Sequence, residues 1–237
     1  MLGAGSGTRL RPLTRLRPKV LCPVGNVTLL DHSLGRLRAF GLDVAVNAHH
    51  HADQIGAATD AHVSVEADEA LGTAGGVAHL RDWLDGRGAL VVNGDTWTDV
   101  PIAPLLDRWD GERVRLLVCG DAVLRAGARV VASLLPPGVV ATLPHHPAGL
   151  YETCWGPLQE KGGLEVLGGD GRFVACDRPR DYLDANMQAS GGAPVIGEGA
   201  DVRGTLVRAV VWPGAVVAAG EVLVDAVRAP GLTVLVR

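Results

Sequence analysis

Leu2-Gly3-Ala4-Gly5-Ser6-Gly7-Thr8-Arg9-Leu10-Arg11-Pro12-Leu13-Thr14, continuing as RLRPKVLCPV from Arg15 to Val24, is the stretch that decides the fold. Gly3, Gly5 and Gly7 lack a Cβ, so the backbone there can approach a ligand closely and aim the amides of Gly5 to Thr8 at phosphate oxygens. Arg9 and Arg11 follow at once, and Lys19 comes after a proline. A polyphosphate calls for this combination: neutral donors to shape the loop and cations to offset charge. The glycines taken alone also suit a flexible tail. No GK[ST] closes the loop, which excludes a Walker A, and the third glycine of GxGxxG falls on Thr8, which excludes the dinucleotide fingerprint. Lys19 and Lys161 are the only lysines among 22 basic residues, so a lysine here runs against the chain's own habit.

Outward from this stretch, the 237 residues include 32 glycines and 14 prolines, 47% are hydrophobic and 20% charged. That composition builds a packed core rather than a disordered chain. The 22 basic residues against 26 acidic ones leave a net charge of −4, which excludes a bulk-charge binder of nucleic acid or anionic lipid. An anionic ligand therefore needs a local site. Cys22, Cys119, Cys154 and Cys176 form no CxxC, so buried or incidental thiols in a reducing cytosol are expected rather than disulfides or zinc. His49-His50-His51 is read as a solvated strand end, with metal binding as the rival. Pro213, Gly214, Gly220 and Glu221 interrupt the apolar C-terminal run, and the N-terminus has no signal-peptide pattern. A soluble cytoplasmic protein is expected.

The first half alternates strand and helix patterns, which predicts a mostly parallel sheet covered on both faces. Helices are expected over residues 29–40, 74–84, 101–109, 150–160 and 179–189. Strands are expected over 43–47, 62–65, 89–93, 114–119 and 124–136. Gly168 to Gly171 reads as a hairpin turn between two short strands. After Gly192 the aliphatics recur at six-residue steps (Ile196, Val202; Val210, Val216, Val222), which fits a short parallel β-helix better than a β-meander.

The whole string resembles the signature of the nucleoside-diphosphate-sugar pyrophosphorylases, or sugar-1-phosphate nucleotidyltransferases: LAAGxGTRLxPLT followed by PKxLxPV. Leu71 to Gly75 (LGTAG), Asn93-Gly94-Asp95 and Pro179 to Asn186 (PRDYLDAN) resemble further family motifs in the same order. The hexad region is similar to the left-handed β-helix of the mannose-1-phosphate guanylyltransferase-like branch. The resemblance implies a Rossmann-like three-layer αβα nucleotidyltransferase domain over residues 1–190 and a hexapeptide-repeat β-helix over 191–237. It implies condensation of a nucleoside triphosphate with a sugar 1-phosphate to an NDP-sugar, with GDP-mannose the expected product, and pyrophosphate. Arg9 would hold the leaving β- and γ-phosphates, Lys19 would sit between the reacting phosphates, and Asp95 would hold Mg²⁺. The segment Leu2, Gly3, Ala4, Gly5, Ser6, Gly7, Thr8 and Arg9 would bind the nucleotide together with Gly72 and Thr73. A homo-oligomer through the β-helix, with no nucleic-acid or membrane partner, completes the expectation.

Three departures from the family pattern stand out. The apolar strand that precedes LAAG in the family is missing, which implies a truncated first strand. The family's FVDCGTP reads Phe173-Val174-Ala175-Cys176-Asp177-Arg178-Pro179 here, so a magnesium ligand is replaced by Ala175. Asp177, two positions on, would face the same side of a strand and substitute at a shifted depth. The sugar-holding segment is shortened, leaving Glu152 as a sugar-hydroxyl acceptor or merely the acid of a first helical turn. A catalytically impaired homologue that binds nucleotide sugar and regulates a partner is therefore the alternative to an active enzyme. A glycosyltransferase would want a DxD, and Asn93-Gly94-Asp95 lacks the first carboxylate.

Overall fold

The computed structural model of the chain describes residues 1–236, and Arg237, the last residue of the expected appendage, lies outside them. The backbone divides into two compact units. One comprises Met1–Ser6, Ser33–Gly94 and Thr98–Phe173, the other Gly7–His32, Asp95–Trp97 and Val174–Arg237. The expected boundary at 190/191 falls inside the second unit. No helix among the described residues is long and apolar enough to cross a membrane.

The first unit is a mixed α/β fold built on strands β1 (Ala45–Ala48), β2 (His62–Val65), β3 (Ala89–Val92), β4 (Val114–Cys119), β5 (Val130–Leu135) and β6 (Leu164–Gly169). β1 and β2 are parallel, as are β4 and β6, while β5 runs antiparallel to both β3 and β4. β4 is buried along its whole length, its aliphatic residues covered on both faces and its one charge, Arg115, paired with Glu165 at 2.8 Å. Among the described residues, Leu2 connects the two groups of strands, bridging in parallel to Asn47 within β1 and to Asn93 just past β3. Its N–H donates to Val92 O at 2.9 Å and its carbonyl accepts from Gly94 N–H at 2.8 Å.

Below Leu2 the sheet opens into an apolar cavity of about 270 Å³, lined among others by Met1, Val44, Ala45, Leu90, Val91 and Trp109. The Met1 ammonium lies inside, donating to Ala45 O at 2.8 Å. Burial lowers its pKa from 8.0 to about 5.

Several expected boundaries move for local reasons. The helix expected over 74–84 is two, Gly72–His79 and Arg81–Leu84, separated at Leu80. The one expected over 101–109 is only Ala103–Leu106, because Asp107 turns to an extended conformation and ends it. The strand expected over 124–136 is confined to β5, and the Pro136-Pro137 pair then opens the helix Pro137–Thr142. The expected helix 150–160 begins with a π-helical turn, Tyr151–Trp155, before Gly156–Glu160. Gly168 to Gly171 does not make a hairpin: β6 pairs with β4, whereas Phe173–Ala175 pairs with Thr96–Thr98. Gly171 (φ +147°) has no room for a side chain there, since a Cβ would sit 2.8 Å from Asp99 Oδ1 and 2.9 Å from Val100 Cγ2.

The second unit gathers the glycine-loop continuation around the helix Pro179–Ala189. Tyr182 and Asn186, one turn apart on its buried face, explain the PRDYLDAN pattern. The Tyr182 hydroxyl donates to Pro23 O and accepts from Trp212 Nε1 at 2.9 Å, while Asn186 Oδ1 accepts from Gly25 N–H at 3.1 Å. Leu10, Leu13, Cys22, Leu29 and Trp212 pack around them with 0% exposure. Beyond Gly191 and Gly192, strand Val195–Ile196 runs parallel to Thr205–Val211, which runs parallel to Val222–Ala229. Val195 faces Val210 and Val210 faces Val227, and Asp201–Val202 pairs in parallel with Val216–Val217. The antiparallel strand Leu232–Leu235 closes the series.

Candidate functional site

In the second unit, Gly7 takes φ +59°, and a Cβ there would sit 2.8 Å from Thr14 Cγ2. The close approach lets the Thr14 hydroxyl donate to Gly7 O at 2.8 Å, tying the loop to the chain that leads to Lys19. Pro18 then starts the single 3₁₀ turn Lys19–Leu21, which turns the lysine inward until its side chain is only 7% exposed. Its ammonium donates to Asp95 Oδ2 at 2.8 Å and to Asp177 Oδ1 at 2.7 Å. Burial alone would depress the lysine pKa, but the two carboxylates outweigh it and raise it above the ordinary value. Arg9, two-thirds exposed, reaches the same Asp177 oxygen at 3.1 Å. Cys176 N–H donates to Asp95 O at 3.0 Å, which fixes Asp95 beside the segment that carries Asp177.

Arg9, Lys19, Asp95 and Asp177, all singled out from the sequence, are thus brought into one cluster. The strand argument for Asp177 was incomplete: the strand ends at Ala175, and Asp177 comes to Lys19 from the turn before Pro179. Two cations and two carboxylates make the cluster neutral as a whole. An arriving polyphosphate could draw Lys19 and Arg9 to its oxygens and leave the carboxylates free for a divalent cation.

In the first unit, the backbone of Leu2 to Ser6 passes over the ends of β1 and β3. Gly3 N–H donates to Asn47 Oδ1 at 2.6 Å. The LGTAG segment forms a second loop and the start of the helix Gly72–His79. Gly72 (φ +70°) lies against Ala148, where a Cβ would be 2.6 Å from its carbonyl oxygen. Thr73 Oγ1 accepts from Leu150 N–H at 2.7 Å, so this hydroxyl already serves the scaffold as an acceptor. Ser6 and Gly7 join the first loop to the Lys19 segment in the chain.

Glu152 is exposed in the first turn of its π-helix, with its carboxylate folded against Gly149. That is the geometry of a first-turn helix acid. The sequence reading missed Asn47 and Glu66, which are 1% and 2% exposed and bonded to each other at 2.7 Å. A polar residue at the end of an apolar strand and a glutamate just past the next were the only signals, and neither has a diagnostic spacing.

Residues 1–122, just over half of the chain, match the family model described as nucleotidyl transferase. The chain belongs to the nucleotidyl transferase family. This nucleotidyl transferase is 36% identical over 129 residues to an N-acetylmuramate alpha-1-phosphate uridylyltransferase of Caulobacter vibrioides, covering 48% of this chain and 53% of that one. It is also 36% identical over 226 residues to a probable mannose-1-phosphate guanylyltransferase 2 of Arabidopsis thaliana, covering 77% of this chain and 62% of that one. It therefore spans about half to three-fifths of the length of these two relatives. Among solved structures, it resembles a putative glucose-1-phosphate thymidylyltransferase from Bacillus anthracis at a TM-score of 0.67 and 16% identity, covering 79% of this chain and 93% of that one. That likeness is one of fold, and it agrees with the α/β nucleotidyltransferase architecture expected from the sequence, except that the mostly parallel sheet expected there is mixed because β5 runs antiparallel to both its neighbours.

Proposed function

We propose that the chain is a sugar-1-phosphate nucleotidyltransferase. The observation that carries this reading is Lys19, held charged between Asp95 and Asp177 with Arg9 on the same carboxylate. A phosphate oxygen of the sugar 1-phosphate attacks the α-phosphorus of the triphosphate. The new P–O bond forms as the bond to the β-phosphate bridging oxygen breaks, and pyrophosphate leaves. A sugar phosphate is largely dianionic at neutral pH, with a second pKa near ~6, so no general base is required. The protein's task is positioning and charge stabilisation. Lys19 exchanges its carboxylates for the oxygens of the two reacting phosphates, and exposed Arg9 swings to the leaving pyrophosphate. The amides of the first loop and the backbone of Gly72-Thr73 hold the nucleotide.

Two carboxylates gathered on one cation suit a hard divalent ion that completes its shell with waters and substrate phosphates. Asp95 and Asp177 are the residues that would hold Mg²⁺, with Asp177 standing in for the carboxylate absent at Ala175. Bound there, the ion would offset charge on the α-phosphate.

GDP-mannose is the first product to test, because the 226-residue match to the Arabidopsis relative extends through most of this chain. The Caulobacter relative makes UTP the second nucleotide to try. We also read residues 191–237 as a short left-handed β-helix through which chains associate, supported by the parallel registers of its strands.

The test is pyrophosphate release over several triphosphates and sugar 1-phosphates with Mg²⁺, beside equilibrium binding of the corresponding nucleotide sugars. Turnover lost in Lys19→Ala supports the enzyme. Nucleotide-sugar binding without turnover for any pair supports the impaired regulator instead, which the alanine at 175 favours.

A further inference from the structure

Three hydrogen bonds, two buried and one partly buried, run in series between the two loops that the proposed function assigns to the nucleotide. Gly3 N–H donates to Asn47 Oδ1 at 2.6 Å, Asn47 Nδ2 donates to Glu66 Oε1 at 2.7 Å, and Leu71 N–H donates to Glu66 Oε2 at 2.7 Å. Glu66 is 2% exposed and forms no ion pair with a cation among the described residues. Burying a carboxylate among neutral donors is costly, and a feature retained only for packing would be served as well by an apolar side chain. The donors also fix the side-chain orientations. Asn47 must turn its oxygen to Gly3 and its amide to Glu66, and Glu66 accepts on both oxygens.

The scaffold is shaped around this pair. A Cβ at Gly76, in the helix that Leu71 caps, would sit 3.0 Å from Glu66 Oε1 and press on the Asn47 amide as well. The carboxylate accepts from the N-cap residue of that helix, where the helix dipole favours negative charge. His49 Nδ1 bonds the Glu66 backbone carbonyl at 2.6 Å and steadies the residue from the other side.

We infer that Glu66, acting through Asn47, is a positioning residue that sets the spacing between the Leu2–Gly5 backbone and the Leu71–Thr73 backbone and thereby the affinity for nucleotide. It is too deeply buried to touch the nucleotide itself. This inference rests on the proposed function for what the loops bind, but not for the clamp between them.

The test exploits the direction of the bonds. Glu66→Gln is isosteric but has one acceptor for two donors, so one junction becomes donor against donor. Asn47→Asp alone places two carboxylates face to face. Combined, the two substitutions restore all three bonds: the new carboxylate at position 47 accepts from Gly3 and from the new amide at 66, whose oxygen still accepts from Leu71. Binding of GTP and UTP by calorimetry, with amide hydrogen exchange at Gly3 and Leu71, reads the outcome. Each single variant should weaken nucleotide binding at least tenfold and speed exchange at both amides. The double variant should recover to within about threefold of the starting protein on both measures. Single variants that behave like the parent, or a double variant no better bonded or folded than Glu66→Gln, overturn the clamp. If the parent binds neither nucleotide while exchange at both amides follows the predicted pattern, the proposed function fails and the clamp stands.

Discussion

The amino group of Met1 offers a prediction whose size follows from one shift. Its ammonium is enclosed in the sheet cavity beside Ala45, and burial lowers its pKa from 8.0 to about 5. Between those two values the unfolded chain binds a proton that the folded chain does not, so stability rises with pH across this window. Three units at 1.36 kcal/mol each give a penalty of about 4 kcal/mol below pH 5, where both states are protonated. By linkage the penalty falls to about 1.4 kcal/mol at pH 7 and nearly to nothing at pH 9. The perturbation is a Gly-Ser extension ahead of Met1, which replaces the buried ammonium with a neutral peptide N–H and moves the charge away along a polar, extended segment. Urea unfolding of both chains at pH 6, 7, 8 and 9 isolates this group, because the remaining titrations are shared. The unextended chain should gain about 2–3 kcal/mol relative to the extended one between pH 6 and pH 9. Parallel pH profiles for the two chains would refute the burial of this amine and with it the account of how Leu2 is seated.

Replacing the Gly-Ser pair with an apolar extension of four residues, such as Val-Val-Ile-Leu, should raise stability further by seating a strand in the 270 Å³ cavity, seen as a higher urea midpoint and slowed amide exchange at Leu90. Gly7→Ala should cost about 1–3 kcal/mol, from the strained backbone and the contact with Thr14, and should weaken nucleotide binding in the same preparation. Tyr182→Phe should cost about 1–3 kcal/mol in chemical denaturation, because Pro23 O and Trp212 Nε1 each lose a buried partner. Asp177→Asn should raise the Mg²⁺ concentration needed for half-maximal turnover by at least tenfold while leaving the melting temperature within a few degrees; an unchanged Mg²⁺ dependence removes Asp177 from the metal site.

What the sequence disclosed and what it hid divide along a physical line. Positions 2–24 were legible because backbone conformation, charge and proline placement restrict each of them locally: Gly7 must reach φ +59°, and Pro18 must open the turn at Lys19. Strand β4 was placed to the residue by its run of aliphatic residues, although that run is interrupted by Arg115. Asp177 was proposed for the right cluster by an argument from strand alternation, but the strand stops at Ala175 and the turn delivers the carboxylate. The supposed hairpin at Gly168 to Gly171 failed because a glycine-rich turn reports local flexibility and not the partner of each strand. Asn47 and Glu66 left only weak signals without a diagnostic spacing, since apart from each other their carboxylate and amide oxygens serve backbone amides, which carry no residue identity in the sequence.

The neutral cluster bears on how a chain of net charge −4 can serve a triphosphate. Lys19 and Arg9 are not free cations waiting in solvent; each rests on Asp177, and Lys19 on Asp95 as well. Under the proposed function, nucleotide would compete with two carboxylates for the lysine, and a divalent ion taking the carboxylates at the same time would decide the competition. That coupling predicts mutual dependence: Mg²⁺ should tighten GTP binding, and GTP should tighten Mg²⁺ binding by the same factor, as linkage requires. Lys19→Gln should erase most of that reciprocity, because its neutral amide no longer holds the carboxylates against the ion or needs release toward phosphate. Calorimetric titrations of each ligand with and without the other measure the factor. An unchanged factor in Lys19→Gln would mean that the lysine bridges the carboxylates in the empty protein without taking part in the exchange.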